Sequence, residues 1–320
     1  YVWGGMSGYR SLPLSGNIGG TATQSGNTTT FTPNVARPFR PGEEVSVTIV
    51  NAQATSGVRA KPTVYSFRAG AGSGPGMFYQ TAAISTGVAD LYSTAAADVN
   101  NDGRLDAIIV ERGGTPNMNV ALGNGDGTFA APTSYPLVSP QGRLVTTGDM
   151  NNDGLVDIIV ANDGFGAGSV NVFLNNNGAA GTFFPSVNVG GGASAKAVFV
   201  ADFNADGQLD IAVTYFSDTK IDVYSRDNLG VFYTLTSIPV AVQTNFLTGG
   251  DFDNDGDIDL FATNNSGVSN VLFNSGLGTF VVGPNIGANV PNEMLFPVDI
   301  NSDGNLDIVY HNGNVEALIN

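Results

Sequence analysis

The chain has 320 residues, 43 of them glycine, with only 12% charged residues, no cysteine and a net charge of −16. Without cysteine it has no disulfide staple, and its acidic balance argues against a nucleic-acid partner, whose phosphates need a basic surface. No apolar run reaches the roughly 18 residues that span a bilayer, and the scarcity of Ala, Leu, Glu and Lys runs beside so much glycine favours short strands over helices.

The charge divides near residue 70. Residues 1–69 hold six basic residues (Arg10, Arg37, Arg40, Arg59, Lys61, Arg68) against Glu43 and Glu44, whereas the remainder holds six basic and 26 acidic ones. The chain opens at Tyr1 with no basic-then-apolar leader, as expected of a processed or partial chain. Its first strand signals are "TTTFTPN" (28–34), "PGEEVSVTIVNA" (41–52) and "KPTVYSF" (61–67). In the second, Val45, Val47 and Ile49 alternate with Ser46 and Thr48, the pattern of a half-buried strand. The order of these segments is similar to the later half of bacterial Ig-like domains in surface-layer and adhesin proteins. That resemblance implies a partial Ig-like β-sandwich over residues 1–68, short of the about seven strands such a sandwich needs. A sandwich lacking strands is open to completion by a strand from another copy, and head-to-tail completion builds filaments. "AGAGSGPG" (69–76) reads as a linker.

From residue 77 the chain repeats itself. Five nonapeptides share one pattern: "DVNNDGRLD" (98–106), "DMNNDGLVD" (149–157), "DFNADGQLD" (202–210), "DFDNDGDID" (251–259) and "DINSDGNLD" (299–307), spaced by 51, 53, 49 and 48 residues. A small or apolar run precedes each ("STAAAD", "LVTTGD", "KAVFVAD", "FLTGGD", "MLFPVD") and a β-branched run follows ("AIIV", "IIVAN", "IAVTY", "LFATN", "IVYHN"). A third apolar segment comes next, then a Gly-x-Phe step into a fourth. Four antiparallel strands per repeat of roughly 50 residues is the signature of a propeller blade. The predicted fold is therefore all-β: an amino-terminal Ig-like module, then a propeller of five four-stranded blades over residues 77–320. The last repeat lacks a fourth strand, and Met77–Ser85 carries that pattern at the other end of the propeller, so the ring is expected to close there.

The nonapeptide reads D-x-[N/D]-x-D-G-x-x-D. Asp, Asn and Gly favour turns without any metal, but five copies with acids at positions one, five and nine point to a bound cation. Calcium takes six to eight hard oxygens, delivered from alternating positions around a glycine turn. Positions one, three, five and nine offer side-chain oxygens and position seven a backbone carbonyl. The candidate ligands are Asp98, Asn100, Asp102, Arg104 and Asp106; Asp149, Asn151, Asp153, Leu155 and Asp157; Asp202, Asn204, Asp206, Gln208 and Asp210; Asp251, Asp253, Asp255, Asp257 and Asp259; and Asp299, Asn301, Asp303, Asn305 and Asp307. The Arg104 side chain is expected to point away. The fourth loop, with Asp253 at position three, carries the most ligand charge and is expected to bind tightest.

These loops, with their downstream Gly-x-Phe steps, resemble the FG-GAP/VCBS repeats of integrin α-subunit propellers, fungal lectins and bacterial surface proteins. The resemblance covers residues 76–320 and implies structural calcium, about five ions, between the first and second strands of each blade. Propellers of that family commonly have seven blades, two more than the count here.

The single histidine, His311, has no cysteine or second histidine to support chemistry, and no G-x-S-x-G nucleophile elbow occurs. Phe78, Phe129, Phe183, Phe232 and Phe280 share one place in the repeat and are expected to pack between blades. The expected function is a non-enzymatic, secreted, calcium-binding protein of the extracellular space or cell surface, serving structure or adhesion as a filament subunit. Its expected partners are other copies of itself, surface proteins or glycans; a carbohydrate-binding lectin and a polysaccharide-acting enzyme are the alternatives.

Overall fold

The computed structural model describes residues 90–320 except 114–115, 139–140, 165–169, 177–180, 191–193, 228, 265–267, 287–294 and 312–313, together with five strands of the amino-terminal part. Among the described residues every regular element is a strand. The first repeat forms a sheet of Leu91–Ala97, Asp106–Glu111, Asn117–Ala121 and Thr133–Pro136, antiparallel and in chain order. The same meander recurs in Gly142–Gly148, Asp157–Asn162, Val170–Phe173 and Val187–Val189. It recurs again in Ala195–Ala201, Asp210–Tyr215, Lys220–Arg226 and Phe232–Pro239, and in Thr244–Gly250, Asp259–Asn264, Ser269–Asn274 and Phe280–Ile286. The fifth sheet comprises Leu295–Val298, Asp307–His311 and Val315–Leu318. It has three strands, as the repeat phase predicts. The expected fourth, Met77–Ser85, and with it the closure of the ring, falls outside the described residues.

The sheets stack face to face because their second strands are apolar on both sides. In the second sheet Ile158 and Val160 face the first sheet, in a cluster with Ile108, Val110 and Met118. Ile159 and Ala161 turn the other way, into a cluster with Val198, Val200, Ile211 and Val213 of the third. The third and fourth sheets meet through Ala212 and Ile221 against Leu247, Leu260 and Leu272, and the fourth and fifth through Phe261 against Leu295, Ile308 and Tyr310. A strand's side-chain period of two sends neighbours to opposite faces, so burial on both faces demands the unbroken β-branched runs seen in the sequence. Three of the Gly-x-Phe residues join these seams: Phe183 meets Tyr135 of the preceding sheet edge-on at 5.5 Å, Phe280 meets Phe203 at 5.5 Å, and Phe232 packs against the seam of the second and third sheets. Phe78 falls outside the described residues.

Of the amino-terminal part, Val2–Trp3, Glu44–Ile49 and Thr63–Arg68 form one three-stranded antiparallel sheet, and Gly20–Ser25 pairs with Thr28–Pro33. The three strand signals read at 28–34, 41–52 and 61–67 are strands. The Ig-like packing and the linker at 69–76 fall outside the described residues. No helix of the described residues is long and apolar enough to cross a membrane.

Consecutive first strands lie side by side, and their small residues let them do so. A Cβ on Gly249 would lie 2.5 Å from Phe199 Cε1 and 2.8 Å from the Asp259 carbonyl. Gly249→Ala should therefore cost about 1–3 kcal/mol by overpacking, measured by urea unfolding. Leu277→Ser, at a residue 73% exposed, should stay within about 0.5 kcal/mol.

Candidate metal centres

Each nonapeptide joins the first to the second strand of its sheet, and its ninth residue opens the second strand. Position four is left-handed in all five: Asn101 (φ 63°), Asn152 (58°), Ala205 (56°), Asn254 (59°) and Ser302 (62°). The glycine at position six is left-handed too, with φ between 86° and 96°. Glycine adopts that region freely, and Asn more readily than most residues. Two left-handed residues this close coil the backbone so that successive N–H groups converge on one point.

That point is the carboxylate at position one. Asp98 accepts from Asp102 N (3.0 Å) and Gly103 N (2.9 Å), and Asp149, Asp202, Asp251 and Asp299 accept from the equivalent pairs at 2.9–3.1 Å. The side-chain oxygen at position three accepts from the N–H of position five, and the carboxylate at position five accepts from the N–H of position seven. Arg104, Leu155, Gln208, Asp257 and Asn305, the expected carbonyl donors, are thus fixed through their own N–H groups.

The aspartate at position nine is 0–1% exposed in every sheet. One of its oxygens accepts from the N–H of position two: Val99, Met150, Phe203, Phe252 and Ile300 donate to Asp106, Asp157, Asp210, Asp259 and Asp307 at 2.8–3.1 Å. In four sheets the other accepts from a residue just past the third strand or at its end: Gly123, Asn175, Asn274 or Asn320. The last three were not singled out in the sequence, although "N" closes those segments. Their amides reach across to the preceding loop: Asn175 to the Val99 carbonyl (2.8 Å), Asn274 to Phe203 (2.9 Å) and Asn320 to Phe252 (2.7 Å). They tie the first, third and fourth turns to the sheet that follows, and Arg226 Nη1 ties the second through the Met150 carbonyl at 3.1 Å.

Burial pushes Asp157, Asp210 and Asp259 up to about 7 and Asp202 to about 6. It also raises Asp106, Asp149 and Asp251, with neighbouring carboxylates adding to the effect. The backbone donors oppose this only in part. Carboxylates have about four lone-pair sites, so those holding two hydrogen bonds keep lone pairs for a cation. In four loops an amide at position three donates to position five, Asn100 to Asp102 at 3.0 Å and likewise from Asn151, Asn204 and Asn301. In the fourth loop Asp253 replaces that amide and sets carboxylate against carboxylate. There Asp251, Asp253 and Asp259 bring oxygens within 4.8 Å of one another. Hard oxygen donors at that separation fit calcium better than any soft or nitrogen-ligated metal. Arg104 departs from expectation: its guanidinium lies 3.7 Å from Asp102 Oδ2 on the surface instead of pointing away. The side chain of His311 lies outside the described residues.

Five stacked antiparallel sheets, each opening on the same acidic turn, define a propeller-type repeat protein. The chain belongs to the FG-GAP-like repeat family, whose model matches residues 98–160, 149–213 and 251–310, together more than half of it. Among curated proteins none matches in sequence. Among solved structures, "the structure of Pseudomonas aeruginosa Periplasmic gluconolactonase, PpgL" is similar with a TM-score of 0.53 and 15% identity, over 100% of this chain and 96% of that one. This finding corrects the expected function. The repeats lead one to expect a non-enzymatic adhesion or filament protein, yet a similar fold is found in an enzyme. The fold therefore gives no ground for excluding catalysis, nor for a filament.

Two outcomes follow from these centres. Asn274→Ala removes amide bonds to the buried Phe203 and Ile258 carbonyls and should cost about 1–3 kcal/mol in urea unfolding. In metal-free protein the raised position-nine aspartates stabilise most below about 3.8, and that contribution is lost as pH rises through about 7. Melting in a chelator should fall from pH 5 to pH 8, whereas calcium affinity should rise over the same range as protons are displaced. A metal-free melting temperature flat over that range would contradict this.

Proposed function

We propose that the chain is a calcium-loaded five-bladed propeller that works outside the cytoplasm, its metal turns holding consecutive blades in register. The observation that carries this reading is the cluster of Asp251, Asp253 and Asp259 oxygens within 4.8 Å, in a turn whose hydrogen-bond plan recurs in four others. In each turn the residues at positions one, three, five and nine would hold the ion, joined by the carbonyl at position seven. The ion supplies the positive charge that the clustered carboxylates lack. Extracellular calcium modules work at Kd values of about 10⁻⁴–10⁻³ M, which suits turns loaded only where calcium is abundant.

Metal bound only by the native state stabilises it by about 2.7 kcal/mol per site at a hundred times Kd. Chelation should therefore lower the melting temperature by more than about 5 °C. Asp253→Asn converts the fourth turn to the plan of the others and should weaken its calcium binding without unfolding the chain. An unchanged melting temperature in chelator would overturn the reading.

A second reading, favoured by the likeness to the gluconolactonase propeller, is hydrolysis of a lactone. Proton release from gluconolactone above the spontaneous rate, followed by pH-stat with calcium present, would support it, and equality with the uncatalysed rate would remove it.

A further inference from the structure

The end of the sheets opposite the acidic turns has a different chemistry. In each sheet the acidic turn links the end of the first strand to the start of the second, so the start of the first strand lies at the far end. There the first strand is bulged in all four complete sheets: between Leu91 and Ser93, Gly142 and Val145, Ala195 and Ala197, and Thr244 and Phe246. Bulges re-aim side chains and gather near binding sites. The residues they re-aim are Tyr92, Arg143, Lys196 and Asn245.

These four meet in a row across consecutive sheets. Arg143 Nη2 donates to Tyr92 OH at 3.1 Å, and Lys196 Nζ donates to Asn245 Oδ1. Partial burial disfavours the Lys196 ammonium, and the neighbouring Arg143 charge disfavours it further. Aromatic faces hold the cations in place: Arg112 and Arg143 lie 5.1 and 5.4 Å from the Tyr92 centroid, and Lys196 lies 4.5 Å from that of Phe216. One carboxylate answers them, Asp163, with Oδ2 3.4 Å from Arg143 Nε. That Nε is buried and makes no hydrogen bond. Asp163 also attracts the Lys196 ammonium, but from beyond ion-pair distance.

Two half-buried cations side by side repel each other, and an anion joining them relieves that repulsion. Seventeen of the 28 acidic residues sit in the five turns at the other end, and Asp163 is the carboxylate that acts on both Arg143 and Lys196. We propose that the Tyr92–Arg143–Lys196–Asn245 row binds a small carboxylate-bearing ligand, such as an acidic sugar, at the end of the propeller opposite its acidic turns. A guanidinium matches a planar carboxylate with two parallel bonds. Asp163 beside Arg143 repels a dianionic phosphate more than a monoanionic carboxylate. Tyr92 and Phe216, 43% and 48% exposed, give the rest of the ligand an apolar wall. The proposal is independent of calcium and goes beyond the scaffold reading.

The test is calorimetric titration of the calcium-loaded full chain with D-glucuronate, with glucose and inorganic phosphate as comparisons. Glucuronate should bind saturably and glucose should not, and added salt should weaken binding as it screens the cations. Lys196→Gln and Arg143→Gln should each weaken it roughly tenfold or more, and Lys220→Gln, at a cation paired with Asp222 outside the row, should not. Thermal melts confirm that each variant is folded; should Arg143→Gln fail to fold, Lys196→Gln decides. No binding of glucuronate, equal binding of glucose, or affinity unchanged in Lys196→Gln would overturn the proposal. Phosphate binding tighter than glucuronate would overturn its carboxylate class.

Discussion

A buried carboxylate needs compensation, and this fold is arranged around supplying it. At position nine an aspartate has been withdrawn from water in every repeat. Moving an unpaired carboxylate into such surroundings is expensive enough that the group would ordinarily take up a proton. Here backbone N–H groups from its own turn, and in four sheets from the end of the third strand, converge on it instead. These bonds close the corner where three strands of a sheet meet. The neighbouring acids at positions one and five then crowd the same corner, and a cation between them resolves the residual repulsion. The left-handed residue at position four and the glycine at position six serve the position-one acid of that corner, aiming the N–H groups of positions five and six at its carboxylate.

From this corner the larger architecture follows. The side-chain amides of Asn175, Asn274 and Asn320 leave their own turn and bond the preceding one, so the polar corners are joined from sheet to sheet while apolar seams fill the space between. The turns also sort charge. Seventeen acids collect at one end, and Arg112, Arg143, Lys196 and Lys220, four of the six cations after residue 69, lie at the other among fewer acids. At the far end the positive charge is local to the Arg143–Lys196 pair, so a ligand there is recognised at short range.

Much of this was legible in the sequence, because a repeat displays its constraints five times. The nonapeptides and the β-branched second strands occupy the places their spacing implies, and so do Phe183, Phe232 and Phe280 in the seams. What the sequence concealed was long-range. Asn274 looks like an ordinary turn residue until the fold brings Phe203 to it from 71 positions away. The left-handed position four is filled by Asn, Ala or Ser and carries no glycine to mark it. The bulges that turn Arg143 and Lys196 toward each other depend on strand register, which periodicity alone does not give. Function was the least legible layer, since scaffold residues repeat and working residues do not. Reading a non-catalytic role from the scaffold confused the two.

The central claim is that cations complete these acidic corners. Native mass spectrometry of the full chain, desalted and then titrated with calcium, tests it most directly. The account requires discrete binding steps that level off near five ions per chain, the first filling the turn that contains Asp253. A spectrum showing only nonspecific adducts, with no plateau as calcium rises, would contradict it.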